Sequence, residues 1–407
     1  MDKNFGRQGL DYLSTICRAA VALALAGAAL QATAQIVRNP PVIFQPPAPE
    51  DFVQISAGLY HTCARKQNGK TYCWGYNEQG QVGTGENRKW DPALRRYVTP
   101  PVVRPSFVAN TKQVEAGGYH ACAVGTDNRA LCWGLNSSGQ VGDASGNDHL
   151  SLPVAVADGR LFTAISGGVY GSCGTTTTGL FCWGNITNTA RPTQMIANTD
   201  FNGVSVGYLH ACVAHTLDSS RAYCWGLNSE QQTGVDPATW NGPVPFAFQS
   251  SLGQGTMALS AGISFTCADK GDGQVWCHGG NASGQLGTGD FTTSFQARRV
   301  GNGGLPLHGV AAGGDHACAL DSSSHVWCWG NGNNGQLGQG ATVVAPTPQA
   351  VAGGRAYRAV ASGYLHSCAI GTDNHIYCWG NNAYGQLGVG SAGSWIATPL
   401  QALDPVN

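Results

Sequence analysis

Charged residues are scarce in this chain of 407 residues, where 22 Lys and Arg and 23 Asp and Glu make up only 11% of the sequence. The formal net charge is −1, so the chain lacks the basic field that attracts phosphate backbones. It also lacks a block of like charges that would form an acidic tail. Nucleic acid is therefore not expected as a partner.

Helical patterning is missing as well, because hardly any stretch shows apolar residues with a helical period. Glycine, in contrast, is abundant, with 58 copies, and there are 11 tryptophans. This combination favours many short strands joined by tight turns. The composition predicts an all-β protein.

The longest apolar run, from Ala19 to Leu30, is too short to span a bilayer comfortably. It follows Lys3, Arg7 and Arg18 and precedes Ala32-Thr33-Ala34, which is the order of a secretory signal peptide. We expect a signal peptide at 1–34 with cleavage after Ala34, an uncleaved N-terminal anchor being the alternative. A Pro-rich spacer at 35–50 and a folded region at 51–407 follow, with no membrane segment after cleavage.

Fourteen of the 15 cysteines form seven close pairs whose first members lie 39 to 59 residues apart. Self-similarity at this period indicates a repeat array or a propeller. The pairs are Cys63 and Cys73, Cys122 and Cys132, Cys173 and Cys182, Cys212 and Cys224, Cys267 and Cys277, Cys318 and Cys328, and Cys368 and Cys378.

Each pair flanks a predicted β-hairpin, most clearly in the last repeat, where the turn 371–374 separates Cys368 from Cys378. Residues facing each other across antiparallel strands are close enough for a disulfide bond. Export and the even count favour seven disulfides over metal ligation or free thiols. Five repeats also carry a histidine two residues before the first cysteine, which we expect to hydrogen-bond within its own blade: His61, His120, His210, His316 and His366.

A Pro-led apolar strand follows each hairpin, as at 101–103 and 348–351, and the final copy, Pro399 to Leu403, follows the last hairpin. No clear strand of this kind precedes the first hairpin. We therefore expect the C-terminal strand to complete the first blade and close the ring.

Each repeat unit contains, in order, the segments A-G-x-x-H-x-C-A, x-Y-C-W-G-x-N, G-Q-L-G-x-G and P-x-x-V. This unit resembles the repeat of the regulator of chromosome condensation family. The resemblance covers residues 52–403 and implies a seven-bladed β-propeller, here with one disulfide per blade. Three repeats depart from the pattern: the third has Gly171 in place of His, the fourth has 230–234 in place of Gly-Gln-Leu-Gly, and the fifth has Phe265 in place of His and His278 in place of Trp. The Trp of each Cys-Trp-Gly is expected in the core between blades.

Catalytic and cofactor motifs are not found: the sequence has no G-x-S-x-G, H-E-x-x-H or P-loop, and a G-x-G-x-x-G match at 330–335 falls in a repeat slot that opens no helix. Metal ions and cofactors are not expected. The loops that break the repeat are better candidates, because partners usually contact irregular loops. Their aromatic and basic residues are of the types enriched at interfaces, although capping of blade edges is an equal alternative. These candidate binding residues are Arg88, Lys89, Trp90, Arg95, Arg96, Tyr97, Trp240, Phe291 and Trp395.

The sequence thus favours a secreted or periplasmic, monomeric and non-enzymatic scaffold of bacterial type that binds a protein through its rim loops. The family resemblance supplies a precedent, because one secreted bacterial member inhibits β-lactamases by binding them. The alternatives are a lyase or hydrolase with a site in the central channel, and a carbohydrate-binding module. Nucleotide exchange on a nuclear GTPase, the role of the family's namesake, does not fit an exported disulfide protein.

Overall fold

The computed structural model describes residues 50–85, 89–91, 96–98, 102–197, 201–216, 219–240, 242–301 and 303–406. The predicted signal peptide and the spacer before residue 50 lie outside the described residues, as do Arg88 and Arg95. No helix within the described ranges is long and apolar enough to cross a membrane.

Every regular element of the described chain is a β-strand. The first two blades contain β1 (Phe52–Ala57), β2 (His61–Lys66), β3 (Lys70–Gly75), β4 (Lys89–Asp91), β5 (Arg96–Val98), β6 (Val102–Ala116), β7 (His120–Gly125), β8 (Ala130–Leu135) and β9 (His149–Ala155). The third and fourth contain β10 (Phe162–Gly167), β11 (Gly171–Thr176), β12 (Gly179–Gly184), β13 (Thr189–Ala197), β14 (Phe201–Val206), β15 (His210–His215), β16 (Arg221–Gly226) and β17 (Val244–Gln249).

The last three blades contain β18 (Ala258–Ala261), β19 (Phe265–Asp269), β20 (Val275–Gly279), β21 (Ser294–Arg299), β22 (Leu307–Ala312), β23 (His316–Asp321), β24 (Val326–Gly330), β25 (Ala345–Ala350), β26 (Tyr357–Ser362), β27 (His366–Gly371), β28 (Ile376–Asn382) and β29 (Gly393–Gln401). Each blade is a four-stranded antiparallel meander, and β4 and β5 form a separate two-stranded ladder.

The first two blades share the long strand β6. Its first part pairs with β3, from Gly75 opposite Val102 to Lys70 opposite Asn110, and its second part pairs with β7 from Thr111 onward. With this strand divided at Thr111, the described chain forms seven blades of four strands. The predicted seven-bladed propeller is confirmed.

Each hairpin is closed by a short polar turn. In the last blade the N–H of Gly371 donates to the carbonyl of His375, and Asn374 takes a φ of 68°, a left-handed conformation that Asn tolerates. This turn places Cys368 directly opposite Cys378. All seven predicted cysteine pairs of the described chain are joined in this way, with Cα atoms 4.0 to 4.1 Å apart.

The expected closure of the first blade by the C-terminal strand is wrong. Strand β29, which contains Pro399, pairs with β28 of its own blade, and β6 supplies the fourth strand of the first blade. The reason is that each Pro-led strand returns to the hairpin that precedes it. Beyond β29, Val406 exchanges two backbone hydrogen bonds with Pro105 and Phe107 of the first blade.

The core lies between neighbouring blades. In one cluster Trp379 of the seventh blade packs with Val326 and Leu337 of the sixth. The Trp of each Cys-Trp-Gly is buried in this way, as predicted, and its indole N–H usually donates to a carbonyl of the preceding blade: Trp74 to Gln386, Trp133 to Gln81, Trp183 to Gln140, Trp329 to Gln285 and Trp379 to Gln336.

Candidate functional site

One end of the propeller carries most of the irregular chain. In a four-stranded antiparallel meander, the turn from the first to the second strand and the connection from the third to the fourth lie at the same end. This end therefore carries the seven A-G-x-x turns, the G-Q-L-G loops and the β4–β5 ladder. We call it the loop face.

A ring of glycines surrounds the channel mouth on the loop face. The second residue of every A-G-x-x turn is Gly, and a Cβ atom at each would collide with the carbonyl oxygen of the equivalent Gly in the next blade. Backbone hydrogen bonds join the same turns, as from Gly118 to Gly168 at 2.8 Å and from Gly314 to Gly363 at 3.0 Å. The ring comprises Gly58, Gly117, Gly168, Gly207, Gly262, Gly313 and Gly363.

The channel below the mouth is lined by small residues and one carboxyl group. Ser56, Ser166, Ser205 and Ser260 occupy one position of the innermost strands, and Glu115 occupies it in the second blade. Burial raises the pKa of Glu115 to about 7, although Ser56, Gln54 and Gln113 hydrogen-bond to its carboxylate. No second carboxyl group lines the channel among the described residues, so the structure offers a single proton-transfer group there.

Histidines link neighbouring blades. The Nε2 atom of His120 lies 2.8 Å from the hydroxyl of Ser172 in the next blade, and that hydroxyl donates its only proton to the carbonyl of Gln140. The histidine must therefore be the donor. The pairs His366 with Thr62, His210 with Thr266 and His316 with Ser367 repeat this arrangement. The expectation that these histidines bond within their own blade is wrong, because the hydroxyl partner belongs to the next one.

At two of the three interfaces that lack this hydrogen bond, neither the histidine nor the hydroxyl residue is present. Gly171 faces Ala211, and Phe265 faces Ala317, at the positions of histidine and hydroxyl. The exception is His61, which is fully buried, faces Ala121 and has no hydrogen-bond partner on either ring nitrogen. Burial lowers the pKa of His61 to about 3, so the ring is neutral at physiological pH.

Replacing Ala121 with Ser should therefore raise the free energy of unfolding by about 1 kcal/mol, because the new hydroxyl completes the bond that His61 lacks. Thermal or urea unfolding would measure the change. Ala317→Ser is the matched control: it adds the same hydroxyl beside the equivalent carbonyl of Gln285 but opposite Phe265. Equal effects of the two substitutions would contradict the assignment.

Tyrosines crowd one side of the channel mouth. Tyr60 lies at the centre, and its ring centroid is 5.3 to 6.2 Å from four others. The interplanar angles of 48 to 90° show tilted and edge-to-face packing. We call this group the tyrosine cluster; its members are Tyr60, Tyr76, Tyr119, Tyr364 and Tyr384. Tyr170 and Tyr208 form a further pair in the third and fourth blades.

Two carboxyl groups lie beside the tyrosine cluster. Glu78 accepts a hydrogen bond from the hydroxyl of Tyr76 at 3.1 Å. Asp315 follows Gly314, where an added Cβ would lie 2.5 Å from the ring of Tyr364. Burial raises the pKa of Asp315, and its hydrogen-bond donor is the amide of Gln285 at 3.4 Å.

The predicted rim residues that the structure describes lie on elements of the loop face but differ in environment. Trp240 is half-buried, packs against Phe246 and donates its indole N–H to the carbonyl of Pro243, so it fixes its own loop. Phe291 and Trp395, in contrast, are 54% and 49% exposed. In the first blade, the β4–β5 ladder pairs Lys89 with Val98, Trp90 with Tyr97 and Asp91 with Arg96.

Exposed apolar side chains recur along the rim of blades four to seven. The backbones of blades five, six and seven are joined there, because Gly289 donates to the carbonyl of Pro346 and Gly340 to that of Ala397. We call this set the apolar arc; it consists of Phe246, Phe291, Val343, Val344 and Trp395. Large exposed apolar side chains that recur on one face of a soluble protein are candidates for an interaction site.

Metal ligands do not converge in the described ranges, where no three His, Cys, Asp or Glu side chains are grouped for an ion. The loop at 330–335 that matches G-x-G-x-x-G occupies the same place after β24 as the loop after β28 in the next blade. It therefore takes the repeat conformation, with Gly335 donating to Gly332.

Two features of the loop face escaped prediction from the sequence. The tyrosine cluster had a visible signal, since Tyr60, Tyr119 and Tyr364 all follow an Ala-Gly or Ser-Gly pair within two residues. The apolar arc had a weaker one, because Val343 and Val344 resemble ordinary strand residues. Their exposure follows from β25 beginning only at Ala345.

The fold and the repeated contacts define a seven-bladed β-propeller of repeats that each carry one disulfide. Two family models described as the regulator of chromosome condensation (RCC1) repeat match the chain, one at residues 52–81, 111–140, 308–336 and 357–386 and the other at 68–124 and 323–370. The chain therefore carries RCC1 repeats over residues 52–140 and 308–386, within the seven-bladed propeller.

Known proteins share the repeats over most of the chain. The ultraviolet-B receptor UVR8 of Arabidopsis thaliana is 26% identical over 74% of this chain and 69% of the receptor. The human regulator of chromosome condensation is 25% identical over 75% of this chain and 78% of that protein. The structure of Prp20p from Saccharomyces cerevisiae is similar, with a TM-score of 0.68, 17% identity and 88% of each chain covered.

Proposed function

We propose that this protein is exported and binds a protein partner through its loop face without catalysing a reaction. The observation that carries the proposal is the apolar arc, which exposes Phe and Trp, residues that often dominate binding energy at protein interfaces. Prp20p, which has the same fold, is described by its binding to Gsp1p and histones. Protein binding therefore has a precedent on this scaffold.

Export is supported by two independent features. The order of positive residues, apolar run and Ala-Thr-Ala in the first 34 residues is that of a secretory signal. Seven disulfides per chain are typical of oxidising compartments and rare in the cytosol. The setting we propose is a periplasm or the outside of a cell.

The rim residues of the first blade belong to the same proposal. Lys89, Trp90, Arg96 and Tyr97 lie on the β4–β5 ladder, an insertion into the connection between β3 and β6. With Arg88 and Arg95, which lie outside the described residues, they would add basic and aromatic contacts to the same partner. Trp240 acts indirectly, by holding the loop that precedes Phe246.

The test is affinity capture from the envelope and culture fluid of the producing cells, followed by identification of the captured protein and measurement of its affinity. The double variant Phe291→Ser, Trp395→Ser should weaken binding at least tenfold, because it removes two exposed aromatic side chains from the arc. The matched control is Leu161→Ser, Met257→Ser, which removes similarly exposed apolar residues where the chain enters β10 and β18, at the opposite end of the propeller.

A partner that binds the arc variant and the control variant equally well would contradict a role for the arc. A third variant, with Trp90 and Arg96 replaced by Ala, then separates the ladder from the arc. If the purified chain captures no protein from either fraction, the proposed function is wrong.

A further inference from the structure

The channel mouth has a composition that the apolar arc does not share. The seven A-G-x-x turns and the loops at 76–83, 135–142, 185–189, 227–234, 280–287, 331–338 and 381–388 contain Glu78, Glu230 and Asp315 but no Lys or Arg. Tyrosine, in contrast, is concentrated there. The mouth is therefore an aromatic surface with carboxylates and without cations of its own.

Among these carboxyl groups, Asp315 is the one whose surroundings best indicate a site for a cation. It is partly buried, it has no Lys or Arg within ion-pair distance among the described residues, and its donor is the neutral amide of Gln285. A carboxylate withdrawn from water is stabilised when a cation approaches it. The preceding residue, Gly314, is so close to Tyr364 that an added Cβ would lie 2.5 Å from its ring, so Asp315 and the tyrosine cluster belong to the same part of the mouth.

The space at the mouth fits the end of a long side chain. The cavity inside the glycine ring measures about 80 Å³, and the channel directly below it adds about 200 Å³. A cavity of about 80 Å³ corresponds to roughly six water molecules. The described walls of both spaces hold Glu115 and no Lys or Arg, so the channel also favours positive charge.

We propose that the channel mouth binds a Lys or Arg side chain from a basic segment of the protein partner. The inference rests on the proposed function and names the chemistry that the partner presents. The cation would lie against the tyrosine rings, whose faces attract positive charge, and close to Asp315. The apolar stem of the same side chain would pack against the rings, while the apolar arc contacts the rest of the partner.

A sugar ligand fits this surface less well. Stacking of a sugar ring requires a broad, flat aromatic platform, whereas the tyrosines here meet each other at 48 to 90°. The absence of basic residues from the turns and loops has no bearing on a neutral sugar. It does exclude anionic ligands and favours a cation.

The experiment compares two peptides of the same length and shape. Hexaarginine and hexacitrulline differ in charge but not in the outline of their side chains, and calorimetric titration into the intact mature chain measures both. We expect hexaarginine to bind at least about tenfold more tightly at low ionic strength, with a preference that shrinks as salt screens the carboxylates.

Two sets of variants locate the site. Tyr60→Leu, Tyr384→Leu should weaken hexaarginine binding about tenfold, because leucine keeps the apolar volume and lacks the ring face. Tyr384→Leu alone, at a residue that is 38% exposed, provides a variant that keeps the buried part of the cluster intact. Asp315→Asn should weaken binding about two- to fivefold. The matched control is Asp404→Asn, an exposed carboxylate that lies after β29, at the opposite end of the propeller.

Equal binding of the two peptides would overturn the inference. So would undiminished hexaarginine binding by the folded tyrosine variants, or binding of maltohexaose or chitohexaose that the same variants abolish while hexaarginine does not bind. Partner capture that is lost with the arc variant but kept by the tyrosine variants would refute the mouth and leave the proposed function intact. Selective hexaarginine binding without any captured protein would support the cation site and refute the partner-binding function.

Discussion

Full reduction of the protein should unfold its blades at temperatures at which the oxidised protein is stable. Each bridge closes a loop of about ten residues, which in the chain-entropy model destabilises the unfolded state by somewhat under 3 kcal/mol. Seven bridges give an upper bound of roughly 20 kcal/mol, which exceeds the net stability of a typical domain, about 5 to 15 kcal/mol. We therefore expect the propeller to remain folded only while its disulfides are intact.

Thermal unfolding with and without a thiol reductant measures this effect, with alkylation of the released thiols as the control for complete reduction. The cysteines of the described blades are fully buried, so reduction requires prior opening of the blade and should be slow under native conditions. A fully alkylated protein that melts at the temperature of the oxidised protein would contradict the prediction.

Replacement of Gly117 with Ala should lower the free energy of unfolding by about 1 to 3 kcal/mol, the usual range for overpacking. The added Cβ would lie 2.7 Å from the carbonyl oxygen of Gly168 and 2.7 Å from the ring of His120. Relief would require the second and third blades to separate, and all seven blades share this ring. Denaturant unfolding, supported by hydrogen exchange at the turns, measures the change.

Gly393→Ala is the matched control, because an added Cβ there has no atom within 4 Å and its φ is not positive. It should change stability by no more than about 0.5 kcal/mol. The effect of Gly→Ala on the unfolded chain is stabilising, so a similar loss from both substitutions would contradict the assignment of the effect to contacts in the ring.

The hairpins and the number of blades followed from the sequence because both depend on local patterns. Cysteines 9 to 12 residues apart on either side of a short turn leave few alternatives to a hairpin closed by a disulfide, and this pattern occurs in every repeat. The structure places Phe291 between β20 and β21 and Trp395 within β29, near the start of that strand, and their role in binding stays a prediction. Local chemistry and the repeat period were sufficient for the hairpins and the number of blades.

The contacts between blades could not be inferred in the same way. The ring of His120 and the hydroxyl of Ser172 are 52 residues apart, and nothing in either repeat shows that the bond crosses to the next blade. The continuous strand β6, which joins two blades without a loop, likewise hid the fourth strand of the first blade and led to the wrong closure. Both features depend on how repeats stack, which a single repeat does not encode.

The paired loss of histidine and hydroxyl has a consequence for engineering chimeric propellers. Gly171 with Ala211, and Phe265 with Ala317, depart together from the histidine and hydroxyl of the other interfaces, although each pair spans two repeats. The matched structural unit is thus the interface between blades, and the boundary between repeats in the sequence divides it. A transplanted segment should run from the histidine of one blade to the hydroxyl of the next, so that donor and acceptor travel together. Exchange at the repeat boundary would instead produce more interfaces in which the histidine, like His61, has no hydroxyl partner.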